Sequence, residues 1–473
     1  MTGLNFVFHF LSLKTVKSYR FFFLNEISIH LSFSNSLSFS NSLYRFQIHL
    51  RVIMEFKSCP KLYQKETHRS RPPEETFEAV DSLTDAAGIT RIADITKLDR
   101  LNIPVFSCIR PSASEGAISV YNGKGVTTIA ARVSAIMEGL ERYSAEPQAS
   151  DSFKIDKYPN LAKEYEILDP IELILPENVD PDAVIPWVFG HEILLQSDGS
   201  LVLEELLVPA VSVYHPLPSQ YYSLFRTGTN GIASGNTLEE AAFHALCEVI
   251  ERDAWSLCEA AKSGGRLITD IEDADSDVAR LLRVFEEAGV SVLLRDITSD
   301  IGLSTIAAIS DDVTLKDPTL LCLGMGTHSS PKVAALRALT EVAQSRATQI
   351  HGAREDATIA DVRKQIGYDR TKRLNAKWFD DSKTVRFSEL KDVSQNDFLD
   401  EIKQTVQMLN NVGLQTVIIK DLTRPELEIP VVRVIVPGLE SFAIDSDRLG
   451  LRGKEARRKL KTAERVKKYV PET

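Results

Sequence analysis

Residues 134–142 read Ser134-Ala135-Ile136-Met137-Glu138-Gly139-Leu140-Glu141-Arg142, and residues 244–252 read His244-Ala245-Leu246-Cys247-Glu248-Val249-Ile250-Glu251-Arg252. Both predict a helix carrying Glu-x-x-Glu-Arg, apolar over most of its circumference. Positions three apart share a helix face, so Glu138 stands beside Glu141 and Glu248 beside Glu251. A helix apolar nearly all round is buried, and a buried carboxylate needs a partner or a cation. One such pentapeptide is common on exposed helices as a salt-bridged surface. Its duplication in apolar surroundings argues instead for a site that holds metal ions and phosphates.

Working outward, the first helix is expected around 126–146 and the second over 237–261. Each is entered from a glycine-bearing loop: Gly123-Lys124-Gly125 ahead of the first, and Gly228-Thr229-Asn230-Gly231 ahead of the second. Free amides and the helix dipole at such N-termini attract anions, which marks Lys124 as a phosphate contact. Gly-Lys-Gly lacks the full P-loop spacing, and a structural turn is the alternative. On an angular map, Asn236, Glu240, His244, Glu248 and Glu251 fall within roughly a third of the second helix's circumference, with Arg252 at the edge. The first helix offers Ser134, Glu138 and Glu141 in the same way. A third apolar helix, Val333 to about Gln349, carries Arg337, Glu341 and Gln344 on its polar stripe. Hard oxygen ligands with room for water and phosphate are what magnesium prefers. Zinc would ask for sulfur or paired histidines, which no spacing supplies. ATP held through magnesium fits this inventory. His244 reads as a polar neighbour of the site rather than a base, and His328 and His351 follow no pattern.

Two further stretches resemble each other. A helix at 277–288 leads through Gly289 to a strand at 290–294 and another near 303–310. A helix at 397–411 leads through Gly413 to strands at 416–419 and 431–436. Together with the duplicated pentapeptide they predict internal pseudo-symmetry. Residues 150–222 alternate short strand candidates with Pro-rich loops and carry no catalytic set. The basic run 457–468 reads as a solvated C-terminal helix.

The 473 residues, 43% of them hydrophobic, can bury large cores, and the net charge of −11 without a basic block excludes nucleic acid as a main partner. Five scattered cysteines and no secretion signature point to the cytoplasm. Residues 1–53 differ from the rest, with a duplicated Ser-Phe-Ser-Asn-Ser-Leu and Glu26 as their one acid. A membrane anchor is one alternative, against which charges interrupt every apolar run. Arginine is too sparse for a transit peptide. We read 1–53 as a disordered upstream extension ahead of a start at Met54. An N-terminal segment over 54–100, a catalytic domain over 101–440 and a tail over 441–473 follow.

These residues together resemble the YcaO family, whose pattern Ser-x-x-x-Glu-x-x-Glu-Arg is matched here by Ser134, Glu138, Glu141 and Arg142. A second block is matched by Asn236, Glu240, Glu248, Glu251 and Arg252, and a third by Glu341 and Gln344. The resemblance covers most of 100–440. It implies an α+β fold with mixed sheets and a non-Walker ATP site between helices and sheets. It further implies that Glu138, Glu141, Glu248, Glu251 and Glu341 ligate magnesium, and that Ser134, Lys124, Arg142, Asn236, Glu240, Arg252 and Gln344 contact the nucleotide. Arg142, Arg252, Glu341 and Gln344 would take part in catalysis. The stretches Gly116–Gly125 and Ala338–Asp356 are similar to the methanogenesis-marker branch. That branch is associated with thioglycine formation in the alpha subunit of methyl-coenzyme M reductase, beside a TfuA-type partner that delivers sulfide. The implied reaction is ATP-dependent phosphorylation of a backbone amide attacked by sulfide. An azoline-forming cyclodehydratase and a non-catalytic nucleotide-binding assembly scaffold are the alternatives, and a homodimer is left open.

Overall fold

A computed structural model describes residues 18–22, 28–32, 54–353 and 358–469. Ser18–Phe22 pairs antiparallel with Ser28–Ser32 in a unit of its own, Met1–Glu55. Aromatic residues favour strands, and the expectation of disorder is corrected for these ten positions; the rest of 1–53 lies outside the described residues. Phe56–Thr473 forms a second compact unit, undivided at 100 or 440.

Within that unit the chain builds a strand–helix motif three times. Helix α1 (Pro73–Val80) opens on proline and two acids, Glu74 and Glu75, which suit a first helical turn. Strands β1 (Arg91–Asp94), β2 (Val105–Ile109) and β3 (Val120–Lys124) form an antiparallel sheet. β3 then runs into α2 (Thr128–Ala145), capped by the Thr127 hydroxyl, which accepts from the Ala130 amide. Next come β4 (Lys154–Asp156), β5 (Ile185–Leu195), β6 (Leu201–Pro209) and β7 (Ile232–Ser234), the last feeding α3 (Leu238–Ala261). Thr237 caps α3 through the Glu240 amide. The third repetition comprises β8 (Arg266–Thr269), α4 (Ser276–Glu287), β9 (Ser291–Asp296), β10 (Thr305–Asp311) and β11 (Leu323–Thr327), leading into α5 (Pro331–His351). β12 (Thr384–Arg386), α6 (Phe398–Asn411), β13 (Ile418–Asp421), β14 (Val431–Ile435) and α7 (Leu451–Tyr469) follow, with shorter helices between the named elements, among them Thr358–Ile366 and Tyr368–Leu374. The expected helices and strands are all present, with ends moved by one to a few residues.

The sheets show the pseudo-symmetry. One runs β6-β5-β13-β14-β7 with β4 on β5, and the other runs β11-β10-β9-β8-β12. In each, an amphipathic helix (α6 or α4) precedes an antiparallel hairpin, and the hairpin's second strand pairs with the strand that enters a site helix. β8 and β12 pair in parallel, which makes that sheet mixed. The helices seat closely on their strands because glycines lie beneath them. A Cβ on Gly123 would stand 2.0 Å from Ala135 N of α2, and one on Gly326 2.1 Å from Ala334 O of α5. Apolar residues of β8–β10, α4 and α5 fill one core, with Phe285, Ile306 and Leu339 fully buried. A second core gathers Trp187, Leu207 and Val431 from β5, β6 and β14. Among the described residues no helix is long and apolar enough to cross a membrane.

Candidate active site

Helices α2, α3 and α5 bring their polar stripes together on one cavity of about 640 Å³. All twelve residues expected to act there line it: Lys124, Ser134, Glu138, Glu141, Arg142, Asn236, Glu240, Glu248, Glu251, Arg252, Glu341 and Gln344. Convergence of acids from three helices separated by some hundred residues each is the geometry that the periodicity required.

In this structure the carboxylates are balanced by neighbouring cations. Arg142 Nη2 lies 2.7 Å from Glu138 and its Nη1 3.3 Å from Glu141. Arg252 repeats the arrangement at 3.8 Å from Glu248 and 3.5 Å from Glu251. Lys124 pairs with Glu341. Ser234, the last residue of β7, donates its amide (3.0 Å) and hydroxyl (3.2 Å) to Glu141. Gln344 donates to the Asn122 carbonyl, which ties α5 to β3.

These cations do not fully offset the crowding. Burial pushes the Glu141 carboxyl up to about 8, against the pull of Arg142 and with help from Glu138 and Glu248. Burial likewise raises Glu248, where Arg252 opposes it, and Glu251, where Arg252 opposes and Glu341 adds. Glu341 goes the other way: burial works to raise it, but Lys124 and Arg252 outweigh that and leave it below the usual range. A cation beside a raised carboxyl favours its charged form. The donors are hard oxygens, a set suited to magnesium. Among the described residues no three acid, histidine or cysteine side chains are grouped closely enough to hold one metal ion by themselves.

The far end of the cavity holds residues that no pattern in the sequence revealed. The chain around 63–71 straps across α3, where Ser70 donates its amide (2.9 Å) and hydroxyl (2.7 Å) to Glu240. Asn236 Nδ2 also donates to Glu240 at 3.1 Å, and Thr76 donates to Asn236 at 2.9 Å. Arg69 lies 3.7 Å from Glu240 and 3.2 Å from His244 Nδ1. Burial, then Arg69 and Arg337, drive His244 well below its ordinary range, so it stays neutral as a neighbour of the site. Arg69 is one of several basic residues in a polar segment, with Lys65 and Arg71 close by, and a contact spanning 175 residues is what sets it apart. Arg346 is structural: it is fully buried and paired with Asp99 and Asp312. One expectation is corrected. The loop Gly228-Thr229-Asn230 does not face this cavity, because β7 intervenes between it and α3. It lines a second cavity of about 730 Å³ that shares Glu138, Arg142, Glu248 and Arg252 with the first.

Comparison with known proteins agrees with this geometry. A family model described as YcaO cyclodehydratase, ATP- and Mg2+-binding, matches residues 122–440. An uncharacterized protein of Methanothermobacter thermautotrophicus is 48% identical over 384 residues, covering 80% of this chain and 97% of that protein. A protein of Rhizobium leguminosarum bv. trifolii, described as lying in the tfuA 3′ region, is 32% identical and covers 79% of this chain and 88% of its own length. Among solved structures, YcaO from Methanopyrus kandleri bound with AMPPCP and Mg2+ superposes with a TM-score of 0.68 at 29% identity, over 83% of this chain and 98% of that one. A heterocyclase in complex with substrate and cofactor shares the fold alone, with a TM-score of 0.69 at 22% identity, over 82% of this chain and 54% of its own. With two thirds of the chain matched by the family model and the acid helices folded onto one cavity, this protein belongs to the ATP- and Mg2+-binding YcaO family.

Proposed function

We propose that the chain is an ATP-dependent thioamide-forming enzyme acting on a backbone amide, with sulfide as nucleophile. The proposed product is thioglycine in the alpha subunit of methyl-coenzyme M reductase. The observation that carries the reading is the ring of five glutamates, two arginines and a lysine on one cavity, which suits phosphoryl transfer by positioning and charge balance. The relative in the tfuA 3′ region supports a TfuA-type protein as the sulfur-delivering partner. Its five free cysteines suit the reducing cytoplasm, where we place it.

In this reading sulfide adds to the amide carbon and forms a C–S bond, turning the carbonyl into an alkoxide. The alkoxide takes the γ-phosphoryl group of ATP as the Pγ–O bond to ADP breaks. The C–O bond then breaks, phosphate leaves with the S–H proton, and C=S remains. Phosphorylation is needed because an amide oxygen is a poor leaving group. Glu138, Glu141, Glu248, Glu251 and Glu341 would hold magnesium, which supplies Lewis-acid neutralisation of phosphate charge when bound. Arg142 and Arg252 neutralise charge beside them, and Lys124 offers an ammonium once released from Glu341. Ser134, Asn236 and Glu240 line the nucleotide end. Gln344 holds β3, and with it Lys124, against α5.

Reconstitution with ATP, Mg2+, sulfide and a peptide of the reductase, read by mass spectrometry, tests this. Exchange of one oxygen for sulfur is the expected mass change. Loss of water instead would identify an azoline-forming cyclodehydratase, and bound nucleotide without turnover would identify a scaffold.

A further inference from the structure

The second cavity is not absorbed by nucleotide binding. Glu138, Arg142, Glu248 and Arg252 line both cavities, so the two chambers meet at those four side chains. Two motifs that the sequence singled out meet in the second cavity. One is the loop Thr227–Asn230, and the other is Gly116–Ile118, from the stretch that resembles one branch of the family.

Its polar groups are set up for a ligand. Arg433 is a single charge in the apolar strand Val431-Val432-Arg433-Val434-Ile435, and only 8% of it is exposed. It donates one N–H to the Gly228 carbonyl at 2.8 Å, while its Nε has no partner. Asn230 Oδ1, on the facing loop, is likewise buried without a partner. Tyr121 Oη and Arg142 Nη1 in the same lining also lack a hydrogen-bond partner, and Arg433 and Asn230 add an unspent donor and an unspent acceptor on one strand and its adjoining loop. A peptide bond carries one acceptor and one donor. Leaving both protein groups unmatched costs free energy that such a ligand recovers. Beside them, a side chain built on Gly228 would meet nothing within 4 Å, so backbone can approach there. Five arginines (Arg142, Arg226, Arg252, Arg433 and Arg448) line the chamber beside four acids, Glu138, Glu146, Glu248 and Asp445. His215 is pushed down to about 4 by burial and then by Arg142, Arg433 and Arg226.

We propose that this second cavity is the acceptor chamber, taking a stretch of polypeptide whose amide C=O accepts from Arg433 and whose N–H donates to Asn230. The carbonyl carbon then faces the junction of the two cavities at those four side chains, where the γ-phosphoryl group of the nucleotide reaches the new alkoxide. The Arg433 guanidinium that donates to this oxygen stabilises the alkoxide that forms when the nucleophile adds. This assignment rests on the amide-activating reading above, and adds where the amide is held and by which side chains.

The test separates acceptor binding from nucleotide binding and from product identity. A fluorescently labelled reductase peptide is titrated onto the full chain with Mg2+ and AMPPCP present, while AMPPCP affinity is measured by calorimetry. Gly228→Trp, which fills the open space, and Arg433→Met should each weaken peptide binding about 10- to 100-fold. AMPPCP affinity should stay within about twofold, a change of under half a kcal/mol. Arg433→Lys should recover part of the loss. Gly228→Trp keeps the test valid if Arg433→Met misfolds. Unchanged peptide binding in Gly228→Trp, or equal loss of both ligands, overturns the assignment. Failure of the wild-type protein to bind the peptide overturns both the chamber and the amide reading. Normal chamber behaviour with the wrong mass change overturns the reading alone.

Discussion

Replacing Gly123 with alanine tests whether the strand-to-helix seating builds the site. An added Cβ would stand 2.0 Å from Ala135 N, 2.4 Å from Ala131 O and 2.5 Å from Ala135 Cα. All three are backbone atoms of α2, so no side-chain rotation can relieve the clash. Restoring ordinary contact at roughly 3.5 Å requires β3 and α2 to separate by about 1.5 Å. Overpacking of this kind costs about 1–3 kcal/mol, and rigid backbone on both sides places Gly123→Ala at the upper end. Function should suffer more than stability. Neighbouring Lys124 pairs with Glu341, the Asn122 carbonyl accepts from Gln344, and Asn122 Nδ2 donates to Thr348 at 2.8 Å. A displacement near 1 Å at a reacting centre can cost about 100-fold in rate. The assay pairs guanidinium unfolding with turnover of ATP in the presence of peptide and sulfide. Gly228→Ala, which meets nothing, serves as the stability control and should stay within about 0.5 kcal/mol of wild type. A Gly123→Ala protein with an unchanged unfolding midpoint and turnover within about threefold of wild type would refute the reasoning.

Glu248→Gln should lower turnover at least about 100-fold while circular dichroism stays that of the wild type, since one charge-bearing ligand is lost and shape is kept. Full activity would remove Glu248 from the metal set. Glu251→Gln should leave the melting temperature of the nucleotide-free protein unchanged or raise it, because burial disfavours the charge that is removed. A clear fall in melting temperature would contradict this. Lys61 and Glu401 form an ion pair with side-chain exposures of 0% and 1%. Lys61→Met should cost about 3–5 kcal/mol and the Lys61→Met/Glu401→Leu double variant much less; additive losses in a double-mutant cycle would sink the idea. His68 and His215 are both held down to about 4, chiefly by burial. Neutral in the fold but protonating near 6.5 when unfolded, they contribute stability that is complete above pH 6.5 and lost as pH falls towards 4. Melts across that window should show the loss, and a His68→Gln/His215→Gln variant should flatten it.

How much of this was legible depends on the range of the interaction. Glu138 with Glu141, and Glu248 with Glu251, follow from helical geometry over a single turn, so the sequence alone determined which acids share a face. The apolar residues around them determined that those faces are turned inward. The repeated helix–hairpin units were legible for the same reason, since a glycine break between periodic runs is a local signal. Other features depended on pairs far apart in the chain. Only the tertiary structure decided that Ser70 and Arg69 anchor Glu240, across some 170 residues. It also decided that Ser234 supports Glu141, and that the loop at 227–230 faces a chamber other than the one its glycines suggested. Arg433 left a trace, a charge in an apolar strand, but its neighbours come from a loop 205 residues away. Periodicity reports which side of an element is buried. Which buried sides meet is set by strand order and helix seating, and these arise only when the whole chain packs.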